Sequence, residues 1–72
     1  MTSIGDRLRQ ERLRRGLDIY QLAEQTKINA SMLEAIEADD LEKLPGRFFT
    51  RSFIRQYAKA LGLDDDEFQQ WL

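Results

Sequence analysis

Cysteine and histidine are both absent from this 72-residue chain, and proline occurs once. Without them a disulfide framework, a zinc site and histidine-based catalysis are all excluded. The lack of cysteine fits a reducing, cytoplasmic setting. No stretch approaches the ~20 consecutive apolar residues that a membrane span requires, and the N-terminus has no apolar signal segment. The chain as given is expected to be soluble and to form one domain over residues 1–72, near the lower size limit for an unaided apolar core. No strand pattern, linker or low-complexity tract interrupts it.

The net charge is only −2, but the charges are segregated. Arg7, Arg9, Arg12, Arg14 and Arg15 crowd the first fifteen residues. Between Glu34 and Glu42 every charge is acidic, and between Lys43 and Lys59 every charge is basic. Such blocks are most often solvated faces, so their meaning depends on where they fall on helices.

Helix punctuation is dense. Ser3 suits an N-cap, and Gly16 suits the position after a first helix that ends on Arg14 and Arg15. Asp18 with Gln21 reads as a capping box for a short second helix. Asn29 caps a third, which carries Leu33 and Ile36 and ends at Asp39-Asp40, because acidic residues oppose the dipole at a helix C-terminus. Pro45-Gly46 is the strongest break. A fourth helix follows over about 48–61, closed by Gly62, and Asp64 caps a short fifth carrying Phe68, Trp71 and Leu72. The reading is an all-α, five-helix bundle with a helix-turn-helix over about 18–38.

Within that motif, Ala23 allows a close helix crossing while Ile28, Leu33 and Ile36 fill the space between the helices. From Ile4 to about Asp39 the sequence resembles the phage-repressor-like (lambda-repressor or XRE) family of helix-turn-helix domains. The resemblance implies an ion pair between Arg12 and Glu37. It also places Ile19, Ala30, Ser31, Glu34 and Ala35 at the positions where such domains read DNA. Base readout needs Gln, Asn, Arg or Lys, and affinity rests on neutralising phosphates. These five residues offer neither, and no basic residue lies between Asn29 and Asp40. Lys27 stands where the family usually has glycine in the turn.

The fourth helix is the most informative element. At about 100° per residue, Ile54, Ala58 and Leu61 form a core stripe, with Thr50 and Tyr57 at its edge. Arg51, Arg55 and Lys59 make a basic rail on one flank. Phe49 and Phe53 lie on the other, roughly 100–140° from the core centre, and Tyr57 borders them. The two rings either pack beneath the fifth helix or the Leu41–Leu44 turn, or stand exposed as a docking pair. Aromatics and arginine are the residues enriched at interface hot spots. Phe48 falls on the basic flank without an assigned role.

The segment 44–63, with its Leu-Pro-Gly turn and the run Phe49-Thr50-Arg51-Ser52-Phe53-Ile54-Arg55-Gln56-Tyr57-Ala58, is similar to the N-terminal cytoplasmic domain of the RodZ family of bacterial cell-shape proteins. That resemblance implies a partner, the actin-like protein MreB, docked through the fourth helix by Phe49 and Phe53, with Tyr57, Arg51 and Arg55 added. It implies membrane attachment through a transmembrane segment outside this chain, at the cytoplasmic face. The alternative is a DNA-binding regulator of the XRE family. No cofactor, metal or enzymatic activity is expected, since no nucleophile–base pairing is legible and the carboxylates at 64–67 are explained by capping. The isolated domain is expected to be monomeric.

Overall fold

The computed structural model describes residues 3–64 and residue 66. Among these, four α-helices run in order: α1 (Ile4–Arg14), α2 (Ile19–Thr26), α3 (Ala30–Glu37) and α4 (Arg47–Ala60), with a 3₁₀ turn, η1 (Leu41–Lys43), before α4. The expected fifth helix, with Phe68, Trp71 and Leu72, lies outside the described residues, which contain four α-helices.

Local chemistry explains the boundaries. The Ser3 hydroxyl accepts from the Asp6 N–H at 3.1 Å and opens α1. Asp18 and Gln21 form the reciprocal capping box of α2, each side chain bonded to the other's backbone N–H. Asn29 accepts from the Ser31 N–H at 2.8 Å and starts α3. Lys27, in the turn of the motif, takes φ 61°, the left-handed conformation that glycine adopts without a Cβ penalty. The turn geometry of the family is therefore kept, with the cost carried by a lysine.

α3 stops at Glu37, two residues short of the expected end. Asp39 turns into the left-handed region at φ 57°. There its carboxylate accepts from the Gly5 N–H at 3.3 Å and from the Ser3 hydroxyl. The acidic pair is thus more than a helix stop, because Asp39 ties the start of α1 to the end of α3. Gly5 is buried at that junction, and a Cβ placed on it would lie 2.1 Å from the Ile36 carbonyl oxygen. Only glycine permits this approach.

Leu8, Leu22, Ile28, Leu33, Ile36, Ile54, Tyr57 and Leu61 form one continuous buried cluster, joined by Leu44, Ala58 and Leu63. α2 packs on both α3 and α4, and α1 packs on α3. The helix-turn-helix is therefore the platform on which α4 rests.

Candidate functional site

The surface that stands out is the outer face of α4. The helix begins at Arg47 behind Gly46, whose φ of 113° suits glycine. The Thr50 hydroxyl donates back to the Gly46 carbonyl at 2.7 Å and secures the first turn. Ile54, Ala58 and Leu61 are buried as their stripe requires, and Thr50 is buried with them.

Phe49 is 50% exposed and Phe48 is 80% exposed. Their rings meet edge to face at a centroid distance of 5.5 Å. Phe49 and Phe53 lie 6.2 Å apart and tilted, within the range of a favourable aromatic pair. Phe53 is only partly buried and packs against the core cluster. The two sequence alternatives are thus split along the helix: Phe53 leans on the core while Phe49 stands half in water. Arg51 and Arg55 are exposed, and neither has an ion-pair partner among the described residues. Phe48, Arg51, Ser52 and Arg55 line one open cleft of about 630 Å³. Phe48 therefore belongs to this surface. The signal was its spacing, since positions 48, 51 and 55 recur at helical intervals.

Tyr57 is not part of that surface. It is 0% exposed, and its hydroxyl donates to Glu37 Oε2 at 2.5 Å. Its position at the edge of the apolar stripe turns it inward beneath α3, where a phenol can be buried because an acceptor waits for it. Glu37 also receives two hydrogen bonds from Arg12, Nε at 2.8 Å and Nη2 at 3.0 Å, a bidentate pair. Arg12 Nη1 donates to the Leu17 carbonyl at 2.9 Å. Three helices thus converge on one carboxylate. Burial pushes the Tyr57 phenol well above its ordinary value, with the Glu37 hydrogen bond adding to the shift. The hydrogen bond to Glu37 raises Arg12 further.

The five positions of a DNA-reading face are not brought together as a reader. Ala35 is buried at 4% exposure, so it has almost no surface to offer a base. Ile19 is partly buried against the core, and Ala30 is half-buried. Ser31 and Glu34 face water, but the Ser31 hydroxyl donates to its own cap, Asn29 Oδ1, at 2.7 Å. That leaves one free acidic side chain where phosphate would have to approach. Among the described residues, no three of Asp, Glu, His and Cys are grouped as metal ligands.

A family model described as a helix-turn-helix domain matches residues 7–68, thus including all of α2, α3 and α4. The chain belongs to this helix-turn-helix family. Among its relatives, the cytoskeleton protein RodZ of Streptococcus pneumoniae is 49% identical over 63 residues, covering 88% of this chain and 23% of that protein. The uncharacterized membrane protein YmfM of Bacillus subtilis is 47% identical over 51 residues, covering 71% of this chain and 17% of that protein. The chain therefore spans less than a quarter of the length of these relatives. A solved structure of YmfM from Staphylococcus aureus, a membrane protein for which DNA binding is suggested, matches with a TM-score of 0.86 at 29% identity, over 94% of this chain and 83% of that one. None of these helix-turn-helix relatives bears the name of an enzyme, and no helix among the described residues of this member is long and apolar enough to cross a membrane.

Proposed function

We propose that this helix-turn-helix domain is the cytoplasmic, protein-binding part of a RodZ-like cell-shape protein, and that it docks the actin-like protein MreB through α4. The likeness to RodZ over 88% of the chain supports the cytoskeletal setting. The observation that carries the docking surface is the half-exposed Phe49, braced by the core-packed Phe53, with Arg51 and Arg55 exposed on the other flank of the helix and without an ion-pair partner among the described residues. An anchored ring loses little rotational freedom on binding, which is how a hot-spot residue works. The arginines then meet acidic groups at the rim of the partner's groove and favour encounter over wrong partners.

DNA binding is the weaker reading. The outward face of α3 presents Ser31 and Glu34, and neither grips phosphate or reads a base edge with two hydrogen bonds. Co-sedimentation with polymerised MreB tests the proposal. The chain should enter the pellet saturably with the filaments, and should leave a DNA duplex unshifted at physiological salt. A sequence-selective DNA complex with a steep salt dependence, and no filament binding, would reverse the assignment.

A further inference from the structure

Phe48 is the most exposed large apolar side chain among the described residues, at 80%, and the Phe49–Phe53 pair does not account for it. It projects on the basic flank of α4, in the cleft shared with Arg51, Ser52 and Arg55. Elsewhere on the molecule lies its counterpart. A groove of about 350 Å³ opens between α3 and η1, with Met32, Ala35 and Ala38 as its apolar lining and Glu34 and Asp40 as its acidic lining. Lys43 also lines it, but its ammonium is engaged by Asp40 at 3.3 Å. Glu34 is the acid left over, exposed and without an ion-pair partner among the described residues.

We propose that the α3–η1 groove of one copy receives Phe48 of a second copy, with Arg51 or Arg55 of that copy set against Glu34. Two features select a second copy as occupant. The knob and the groove carry opposite charges that have no ion-pair partner among the described residues, and both belong to the same chain on different elements, with Phe48 left in water rather than seated in its own groove. A contact between two different surface patches is heterologous, so each joined pair keeps one free knob and one free groove, and the assembly grows as a row. An aromatic ring with one charge pair is a small interface, so the contact is weak for free chains. Relatives of this chain are named as membrane proteins, and confinement of anchored copies to one surface raises their effective concentration.

The row alone uses the α3–η1 groove and Phe48, and MreB docking alone uses Phe49 and Phe53, whereas Arg51 and Arg55 serve both, so the groove variant and Phe49→Ala are the two that tell them apart. Sedimentation velocity of the 72-residue chain across a concentration series is the test. A monomer at micromolar concentration should give way to dimers and then larger species, with half-association at roughly 0.1–1 mM. Two variants at exposed positions dissect the contact: E34K with A38R closes the groove, and F48S with R51E removes the knob. Each alone should stay monomeric at every concentration, with the helical circular dichroism of the wild type. Their equimolar mixture should form dimers and nothing larger, because only one intact knob and one intact groove remain. If E34K/A38R loses helicity, E34K alone serves in its place, and the groove variant should still co-sediment with MreB as the wild type does. A wild-type chain that is monomeric up to ~1 mM, a dimer that survives in either variant, or a mixture that fails to associate would each overturn the proposal.

Discussion

The Tyr57 hydroxyl donates a 2.5 Å hydrogen bond to Glu37 Oε2, joining α4 to the end of α3 at the carboxylate that Arg12 of α1 already holds with two bonds. One part-buried acid therefore ties α4 to both α1 and α3. Phe53 and Phe49 lie one and two turns earlier on the same helix. Side-chain exposures of 11% for Arg12 and 9% for Glu37 place this pair where breaking it leaves an uncompensated charge. Glu37→Ala should cost about 3 kcal/mol or more, which for a domain of this size lowers the melting temperature by at least ~12 °C. Circular dichroism melts check it.

Tyr57→Phe removes one bond to a charged acceptor and should cost about 1.5 kcal/mol. It should also change the response to alkali. The folded phenol is pushed above its ordinary value by burial, so the protonated ring contributes stability that is fully present below the unfolded value of about 10 and is lost as pH rises beyond it. Melts at pH 9 and pH 11 should show a larger fall for the wild type than for Tyr57→Phe. Equal falls would assign the alkaline loss to other groups.

Gly5→Ala sets two effects against each other. Helix propensity alone would favour alanine by about 1 kcal/mol. The new Cβ, however, would sit 2.1 Å from the Ile36 carbonyl oxygen and 2.8 Å from Asp39 Oδ1, so α1 and α3 must separate. Overpacking wins, and a net loss of about 2 kcal/mol is expected in denaturant unfolding.

Lys27→Gly should act in the opposite direction. Lysine in the left-handed region costs about 1–2 kcal/mol, and glycine's larger chain entropy returns part of the gain. A net rise of about 0.5–1 kcal/mol, or roughly 4 °C, is expected in a thermal melt.

Much of this was legible in the sequence because it is local. Caps at Ser3, Asp18 and Asn29, glycine at 16 and the period of Ile54, Ala58 and Leu61 depend on neighbours a few residues away. What the periodicity left open was long-range. Tyr57 stands between the core stripe and the Phe49–Phe53 pair on the wheel, and the acceptor that decides its place, Glu37, is 20 residues away, where no wheel shows it. Ala35 looked like a reading position by resemblance, whereas it keeps only 4% of its surface exposed. Phe48 gained its place only once the cleft with Arg51 and Arg55 was formed. The Asp39 link to Gly5 joins residues 34 apart and had no sequence signal beyond an acid at a helix end.

The central claim is that partner binding has moved from the face of α3 to that of α4. A nuclear magnetic resonance footprint of the isotope-labelled chain, titrated with MreB, tests it most directly, paired with Phe49→Ala. Phe49 is half exposed, so the variant should keep the wild-type fold with a melting temperature no more than ~8 °C lower, yet bind at least ~10-fold more weakly, as expected for a hot-spot ring. Shifts and line broadening should gather on Phe49, Phe53, Arg51 and Arg55. A footprint on Ser31 and Glu34 of α3, or full affinity in Phe49→Ala, would contradict the account.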